Sequence, residues 1–304
     1  MNYLRRSTAA IVGVGAIGCV TSELMTRAGV GKLIIIDRDI VEESNLQRQT
    51  LFTSADIGKA KAAAAKEALE KINPETRIEA HIDDLDRNNV RILKADIVLD
   101  CTDNMETRFL INDYCSSNRI PWVYSAAIRT TGSVMAFTPM EGKPCFRCIF
   151  KDAAQLETCD IMGVSNTITA ATAAIQVSEG IKVLLGKEAE KKMIRLDIWK
   201  NELEKLSAKK KSNCPACSGN YEYLEGKKGS KIVKLCGTNS YQIKGKKIDL
   251  RLLKQGLEKS AGTHVKDFGN CINIGDATIF SDGRALVKAA DEKQARAKYS
   301  RLVG

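Results

Sequence analysis

Residues 9–18 read AAIVGVGAIG, and this stretch decides the fold. Its first part, residues 9–14, is a short apolar run that favours a buried β-strand, and glycines then predict a tight turn. Residues 19–28 have the composition of a helix, which Gly29 and Gly31 bring to an end. A second apolar strand, KLIII at residues 32–36, completes a strand–helix–strand unit. Such a unit predicts parallel strands joined by a crossover helix.

The alternation of strand and helix continues along the chain. Residues 55–72 are rich in Ala, Lys and Glu and precede Asn73-Pro74, so we predict one long helix there. The pattern indicates an α/β fold, a doubly wound, mostly parallel, Rossmann-like sheet with helices on both faces. The further strands are predicted at residues 77–81, 95–99, 122–125, 133–137 and 193–199, and the further helices at residues 105–117 and 168–185.

A small C-terminal α+β module is predicted beyond a polar, lysine-rich segment. Residues 202–212, which include three consecutive lysines, are the best linker candidate. We therefore divide the chain into residues 1–227 and 228–304. The elements predicted after the linker are a strand at 231–235, a helix at 249–260, a hairpin turn at 281–283 and a final helix at 290–302.

The chain's net positive charge comes from its last third. The formal net charge is +10, and residues 200–304 contain 22 Lys and Arg against 11 Asp and Glu. Such a surplus suits a solvated surface, and it leaves contact with nucleic acid or an acidic protein open. No apolar run reaches the roughly 18 residues of a membrane span, and the apolar N-terminal run is interrupted by glycines. We therefore expect a soluble, cytoplasmic protein without membrane contact.

A GxGxxG motif, formed by Gly13, Gly15 and Gly18, lies between the first strand and the first helix. Glycines at this spacing, with Ala16 among them, allow phosphates to approach backbone N–H groups at the positive end of a helix. Asp37 ends the next strand about 20 residues later, where its carboxylate can accept hydrogen bonds from ribose hydroxyls. The motif predicts a nucleotide site, but alone it fits an NAD-dependent enzyme as well as an ATP-dependent one.

Residues just beyond the second strand favour a triphosphate. Asn45, Arg48 and Gln49 follow the strand end closely, and Lys61 lies in a helix that begins near the same edge of the sheet. Two cations directed at one crevice suit a triphosphate, whereas the glycine turn largely handles a diphosphate. Asp39 belongs to the same polar strand end, so we include it among the candidate nucleotide-binding residues.

Asp103 is the candidate magnesium ligand. It lies in Asp100–Asn104 (DCTDN), at the carboxyl edge of the sheet, where ligands of open α/β folds bind. A carboxylate beside a triphosphate can hold Mg²⁺, which neutralises charge as pyrophosphate departs. The alternative for Asp103 or Asn104 is a structural role as the cap of the following helix.

Two CxxC pairs predict a metal site. Cys145 and Cys148 form one pair, and Cys214 and Cys217 form the other. Four thiolates suit a tetrahedral structural zinc ion. Because about 65 residues separate the pairs, the ion would attach the sheet to the segment that leaves it. Redox-active dithiols are the main alternative.

The motifs together resemble the family of the ThiF and MoeB adenylyltransferases and the eukaryotic ubiquitin-like-modifier activating enzymes. The resemblance extends from about residue 8 to residue 217. It implies a ThiF/MoeB-type doubly wound fold, usually in a homodimer or pseudo-dimer. The motifs that carry it are GVGAIG, IIDRDIVEESNLQRQ, KAKA, INPE, DCTDN, AAIR, CFRC, ETCDIMGV and CPAC.

The resemblance also implies a role for each matching residue. Gly15, Ala16 and Asp37 would hold the adenosine portion of ATP. Asp103 would be the magnesium-associated aspartate, with Asn104 as its neighbour in the nucleotide site. The residues expected to hold the phosphates are Asn45, Arg48 and Lys61, and the expected zinc ligands are Cys145, Cys148, Cys214 and Cys217.

Cys159 matches the family cysteine that attacks the adenylate in some members. Other members work without it, so a cysteine with no essential role stays the alternative. The family usually carries an N-terminal arginine that reaches into the partner subunit's ATP site. Here about eight residues precede the first strand, and Arg5 or Arg6 would have to supply that contact.

The function that these features predict is ATP-dependent adenylation of the C-terminal glycine of a small ubiquitin-like or sulfur-carrier protein ending in Gly-Gly. Arg48, Lys61 and Mg²⁺ bound by Asp103 would stabilise charge, and Cys159 would accept the acyl group or sulfur in a later step. A non-catalytic scaffold subunit of a heterodimeric activating enzyme is one alternative. An NAD-dependent oxidoreductase is another, although neither His81 nor His264 accompanies a motif at the sheet edge.

Overall fold

The structure, a computed structural model, describes residues 2–138, 142–150, 163–228, 240–261 and 265–303. The chain divides into two compact units, Met1–Ile57 with Lys61–Gly229 and Gly58–Ala60 with Ser230–Gly304. Each unit has its own sheet and its own apolar core. Within these described ranges, no helix is both long and apolar enough to cross a bilayer.

Eight strands form the sheet of the first unit. They are β1 (Thr8–Val12), β2 (Lys32–Ile36), β3 (Arg77–His81), β4 (Ile97–Asp100), β5 (Trp122–Ile128), β6 (Thr131–Phe137), β7 (Met193–Asp197) and β8 (Glu202–Leu206). Their order is β3-β2-β1-β4-β5-β6-β7-β8; neighbours from β3 to β5 are parallel, and the later pairs are antiparallel. The chain order reverses between β1 and β4, which is where ligands of open α/β sheets bind.

Helices cover both faces of this sheet. Alternate residues of β1 show the division: Ala9 and Ile11 belong to one apolar core, and Ala10 and Val12 to the other. The first core includes residues of α1 (Asn2–Arg6), α2 (Ala16–Arg27), α3 (Lys61–Ile72) and α6 (Asn166–Leu184). The second includes residues of α4 (Met105–Asn118) and α5 (Phe146–Ile149). The predicted doubly wound α/β sheet is therefore confirmed.

The described part of the second unit contains a five-stranded antiparallel sheet and two helices. Its strands are β9 (Ser240–Lys244), β10 (Lys266–Asp267), β11 (Cys271–Ile274), β12 (Ala277–Phe280) and β13 (Arg284–Lys288), in the order β10-β11-β12-β13-β9. The helices are α7 (Leu250–Ala261) and α8 (Glu292–Val303). The apolar core of this unit includes Ile272, Ile279 and Val287 from the strands, Leu250 from α7 and Ala295 from α8.

Three features of the structure differ from the sequence predictions. The helix predicted over residues 55–72 is a 3₁₀ turn at Ser54–Asp56 followed by α3, because Gly58 between them has a φ of +91°. Five residues of the expected linker form β8, whose exposed side chains hide the strand pattern. Helix α1 and strands β9, β10 and β11 were not predicted. The strand predicted at residues 231–235 lies outside the described residues.

Candidate functional site

The GxGxxG turn joins β1 to α2, and its three glycines meet different surroundings. Gly13 has a φ of +87°, and a Cβ added there would lie 2.9 Å from the carbonyl oxygen of Cys101. A Cβ added at Gly18 would overlap the carbonyl oxygen of Gly13, whereas one added at Gly15 would meet no heavy atom within 4 Å. Two glycines are therefore needed for packing. Gly15 leaves open space at the N-terminus of α2, which begins at Ala16, and a phosphate can approach there.

Asp37 connects the end of β2 to the glycine turn. Its Oδ2 accepts a hydrogen bond from the N–H of Val14 at 2.6 Å, and its Oδ1 accepts one from the N–H of Asp39 at 2.8 Å. Burial raises the pKa of Asp37, and the positive charge of Lys61 acts in the opposite direction. A carboxylate oxygen has more than one lone pair, so Asp37 can still accept a ribose hydroxyl, and that role stays a prediction.

Lys61 lies in a charge cluster at the same edge of the sheet. Its side chain is 9% exposed, and its Nζ lies 3.4 Å from Oδ2 of Asp39. Burial alone would lower the pKa of Lys61, but the charges of Asp39, Asp37 and Asp103 raise it. Lys61 therefore stays protonated. The structure brings this lysine and the three predicted aspartates together, as expected for residues at the carboxyl ends of parallel strands.

Arg38 is a second cation in this cluster, partly buried, and the sequence analysis did not identify it. Its Nη1 lies 3.0 Å from Oδ1 of Asp84. Burial would lower the pKa of the Arg38 guanidinium, but the charges of Asp84, Asp39 and Asp103 raise it. The sequence did contain a signal for this residue: Arg38 stands between two aspartates at a strand end, in Asp37–Asp39 (DRD), which is typical of a charge cluster.

The NLQRQ segment begins with Asn45, the last residue of a 3₁₀ turn at Glu43–Asn45. Asn45 is buried, and its Oδ1 accepts a main-chain N–H of the same turn at 3.1 Å. Arg48 donates through Nη1 to a main-chain carbonyl four residues earlier, at 3.0 Å. Gln49 is buried, and its Oε1 has no hydrogen-bond partner in the described part of the chain. Arg48 and Lys61 carry only hydrogen-bond donors and cannot bond to each other, so their joint contact with phosphates stays a prediction.

The chain that leaves β4 exposes Asp103 and caps α4 with Asn104. The Oδ1 of Asn104 accepts two N–H groups of the first turn of α4, at 2.8 and 3.2 Å. Asn104 is therefore the N-cap of α4, which was the structural alternative for this residue. Its side-chain amide nitrogen takes no part in the cap. An exposed carboxylate at this edge has the oxygen chemistry that Mg²⁺ requires, which fits Asp103 as a metal ligand.

Arg108 in α4 stabilises this strand end, and it also escaped the sequence analysis. Its Nε lies 3.2 Å from Oδ2 of Asp100, and its Nη2 donates to the carbonyl oxygens of Thr102 and Ser125. The guanidinium also lies 5.0 Å from the ring centroid of Tyr124. Nothing in the sequence distinguished this arginine from a surface residue of the same helix.

Gln176 in α6 is the third functional candidate that was missed. Its Nε2 donates to the carbonyl oxygens of Asp100 and Val123, at 2.8 and 2.9 Å. Its Oε1 accepts hydrogen bonds from Thr21 Oγ1 at 2.8 Å and Cys101 Sγ at 3.3 Å. Gln176 is completely buried, and its contacts join α6 to α2, β4 and β5.

The four predicted metal ligands lie together. The sulfur atoms of Cys145, Cys148, Cys214 and Cys217 are all within 4.8 Å of one another, and individual pairs are 3.5 to 3.9 Å apart. Four sulfurs at about 2.3 Å from a tetrahedral zinc ion are about 3.8 Å from each other, so the cluster fits that ion. The N–H of Lys211 donates to Sγ of Cys148 at 3.4 Å, which further stabilises a thiolate.

An ion pair joins the two cysteine-bearing segments to each other, and hydrogen bonds connect both of them to α4. The Arg147 guanidinium lies 2.7 Å from Oε2 of Glu222, and Asn112 accepts the N–H of Phe146 at 2.9 Å. Asp113 accepts the N–H of Tyr223, also at 2.9 Å. Burial raises the pKa of Asp113 to about 6 despite this hydrogen bond. The segments around both CxxC pairs are therefore attached to the sheet unit independently of a metal.

Two predicted residues are not placed at the nucleotide edge. Cys159 lies outside the described residues, so its proximity to the other site residues stays a prediction. Arg5, one of the candidates for the arginine contributed to a partner, forms an exposed ion pair with Glu75 of the same chain at 2.7 Å. Glu75 precedes β3, at the edge of the sheet opposite the strand ends that bear Asp37 and Asp103.

The fold and this site define a nucleotide-binding α/β protein with four cysteines arranged for a metal ion. The glycine turn lies at the topological switch point, and a protonated lysine lies among aspartates beside it. The chain belongs to the ThiF family, which matches residues 1–216. The family resemblance derived from the sequence motifs is thereby confirmed.

Named relatives of this family are adenylyltransferases. The chain is 35% identical to the sulfur carrier protein ThiS adenylyltransferase of Bacillus subtilis (strain 168), and the match covers 99% of this chain and 94% of the relative. It is 36% identical to the molybdopterin-synthase adenylyltransferase of Escherichia coli (strain K12), with 70% and 88% covered. It is 32% identical to the SAMP-activating enzyme E1 of Haloferax volcanii, with 70% and 81% covered.

A solved structure with a similar fold is that of E. coli MccB crystallised with ATP. The TM-score is 0.63 at 22% sequence identity, and the match covers 71% of this chain and 67% of MccB. The likeness concerns the fold. The Bacillus relative matches nearly the full length of this chain, and the match therefore includes the second unit.

Proposed function

We propose that this protein is an ATP-dependent adenylyltransferase that activates the C-terminal glycine of a small ubiquitin-like sulfur carrier. The observation that carries the proposal is the charge cluster beside the open glycine turn, where Lys61 lies with Asp37, Asp39 and Asp103. The names of the relatives support the same activity: one is a sulfur carrier protein adenylyltransferase, another a molybdopterin-synthase adenylyltransferase and a third a SAMP-activating enzyme. They also disfavour the NAD-dependent oxidoreductase.

The reaction is a single displacement at the α-phosphorus of ATP. A carboxylate oxygen of the carrier attacks this phosphorus, the bond to the β-phosphate oxygen breaks, and pyrophosphate leaves with the electron pair. The product is a mixed anhydride between the carrier and AMP. No protein nucleophile is needed, so the chain contributes positioning and charge stabilisation.

Individual residues supply these contributions. The N-terminus of α2 and the open space at Gly15 receive phosphate groups. Lys61 is held protonated and donates to phosphate oxygens, and Arg48 lies on the adjoining segment as the second cation. Asp37 orients the ribose. Asp103 is the ligand for Mg²⁺, which when bound neutralises charge on the phosphates.

The later steps are also part of the proposal. After the adenylate has formed, the Cys159 thiolate attacks its acyl carbon, so that a thioester forms and AMP leaves. The acyl group then passes to the thiolate of a sulfur donor, and the Cys159 thiolate is released. The four-cysteine cluster holds a structural zinc ion, because its sulfur spacing suits that metal. The second unit binds the carrier or another partner, and its surplus of basic residues suits an acidic protein surface. We further propose a homodimer that works in the cytoplasm.

Carrier-dependent exchange of radiolabelled pyrophosphate into ATP tests the main proposal. The wild-type protein should catalyse exchange with a carrier ending in Gly-Gly and should not do so with the same carrier lacking its final glycine. Asp103→Ala should abolish most of the exchange. The matched control is Glu70→Gln, which alters an exposed carboxylate in α3 paired with Lys66. Failure of the wild type with every Gly-Gly carrier would favour the scaffold-subunit alternative instead.

Exchange also isolates the role of Cys159, because pyrophosphate release precedes any thiol attack. Cys159→Ala should retain exchange and lose thioester formation or sulfur delivery to the carrier. Loss of exchange in Cys159→Ala, in a protein that still binds ATP, would contradict the proposed order of steps.

A further inference from the structure

We propose that Gln176 is a positioning residue that sets the distance between Asp103 and the glycine turn. This inference rests on the proposed nucleotide chemistry at that edge of the sheet. Gln176 itself lies in the interior and does not reach the substrate edge. Its effect would pass through the strand end and the helix to which it is hydrogen-bonded.

Buried partners use the full hydrogen-bonding capacity of the Gln176 side-chain amide. The Nε2 group donates twice and the Oε1 atom accepts twice, and none of these contacts is exposed to bulk water. Burying a polar amide is unfavourable unless its hydrogen bonds are formed, and an apolar side chain of similar volume would fill the same space. An apolar replacement would not form the hydrogen bonds by which Gln176 links α6 to α2, β4 and β5.

One end of this link fixes the last residue of β4. The carbonyl oxygen of Asp100 accepts hydrogen bonds from Gln176 Nε2 at 2.8 Å and Ser125 Oγ at 2.7 Å. The next carbonyl oxygen, that of Cys101, lies against Gly13 so closely that no methyl group fits between them. Asp103 follows Asp100 by three residues, so its position depends on how the end of β4 is held.

The other end fixes the helix that starts at the glycine turn. Oε1 of Gln176 accepts a hydrogen bond from Thr21, which lies in α2 less than two turns from the start of the helix. One side chain therefore ties the element that receives the phosphates to the element that carries Asp103. Both groups must converge on one nucleotide, and catalysis is sensitive to misplacement of about 1 Å.

Three variants test the inference. Gln176→Met keeps the volume and removes all four hydrogen bonds. Thr21→Val removes the hydrogen bond between α2 and Gln176 and leaves the other three hydrogen bonds of Gln176 in place. The control is Thr172→Val, one turn earlier in α6, which alters a buried hydroxyl with no hydrogen-bond partner among the described residues. Thermal unfolding of each variant identifies the temperature range in which it is folded.

The decisive measurement is the affinity for ATP with and without Mg²⁺, because Asp103 contributes to the metal-dependent part. The factor by which Mg²⁺ increases the affinity for ATP should be at least about fivefold smaller in Gln176→Met than in the wild type. The kcat of this variant for pyrophosphate exchange should fall about 10- to 100-fold, and its KM for the carrier should change by less than about twofold. Thr21→Val should show a smaller change in the same direction. Thr172→Val should match the wild type. A residue that only stabilised the fold would lower the active fraction and leave the Mg²⁺ dependence unchanged.

The outcomes separate this inference from the proposed function. A folded Gln176→Met protein with the Mg²⁺ dependence of the wild type overturns the inference, whether or not exchange occurs. If Gln176→Met does not fold, an unchanged Mg²⁺ dependence in Thr21→Val overturns it. A wild type that shows no exchange, together with an altered Mg²⁺ dependence in Gln176→Met, refutes the proposed function and supports the positioning role. A wild type without Mg²⁺-dependent ATP binding refutes both.

Discussion

Replacement of Gly15 by alanine should separate nucleotide binding from folding. The backbone at Gly15 has a φ of −83°, and a Cβ there meets no protein atom within 4 Å. The added methyl group would therefore occupy the space from which phosphates approach the N-terminus of α2. Gly18→Ala is the matched comparison in the same motif, because its methyl group would overlap the carbonyl oxygen of Gly13.

The expected magnitudes differ between the two variants. Loss of one charge-assisted hydrogen bond between a phosphate and the backbone weakens binding by about 1.5–3 kcal/mol, which is about 10- to 150-fold in the ATP dissociation constant. In Gly15→Ala, the lower conformational entropy of the unfolded chain stabilises the protein, whereas alanine is a poorer N-cap than glycine and destabilises it. Because the two effects oppose each other, the free energy of unfolding should change by less than about 1 kcal/mol. Gly18→Ala should lose about 3 kcal/mol, because the overlap involves backbone that cannot easily move.

Calorimetric titration with ATP in the presence of Mg²⁺, combined with urea unfolding, measures both quantities. Gly15→Ala should be nearly as stable as the wild type and bind ATP poorly. Gly18→Ala should show a lower urea midpoint even without nucleotide. The reasoning would be refuted if Gly15→Ala bound ATP with wild-type affinity, or if Gly18→Ala were as stable as the wild type.

Three further predictions concern charge and metal. Lys61→Met should weaken ATP binding about 10- to 100-fold through loss of a charge-assisted contact, whereas Lys66→Met on the exposed face of α3 should leave titration curves unchanged. Cys148→Ser should reduce the zinc content measured by native mass spectrometry from about one ion per chain, and equal content in both proteins would argue against the site. Burial raises the pKa of Asp113 from 3.8 to about 6, so the native state binds the proton more tightly than the unfolded chain. The free energy of unfolding should fall by about 2 kcal/mol more between pH 4 and pH 6 in the wild type than in Asp113→Asn. Parallel pH profiles from urea titrations would contradict this.

Much of the first unit could be predicted because its signals are local. The apolar runs of β1 and β2 are buried on both faces, so they appear as continuous hydrophobic segments. The glycine turn has a fixed spacing, and each CxxC pair brings two sulfurs to one metal without long-range information. Strand ends at one edge of a parallel sheet are neighbours by geometry, which explains why Lys61 and Asp103 could be placed together.

What could not be predicted depends on contacts between distant segments. Gln176 looks like one polar residue in an apolar helix until its partners, 53 to 155 residues away in the chain, are known. Arg108 is indistinguishable from a solvated arginine because its carbonyl partners carry no sequence signal. Strand β8 was read as part of a linker because every one of its side chains is exposed and its pairing is with β7 alone.

The four-cysteine cluster has a consequence for the topology of the chain. Cys145 and Cys214 are 69 residues apart, and the segment between them contains α6, β7 and β8. An ion bound by both pairs would act as a removable cross-link that closes this loop. By analogy with a disulfide, closing a loop of that length restricts the unfolded chain by about 4 kcal/mol. Because Gln176 lies inside the loop, a chelator that removes the ion would reduce the penalty for releasing α6, and the nucleotide edge would loosen although none of the metal ligands belongs to it.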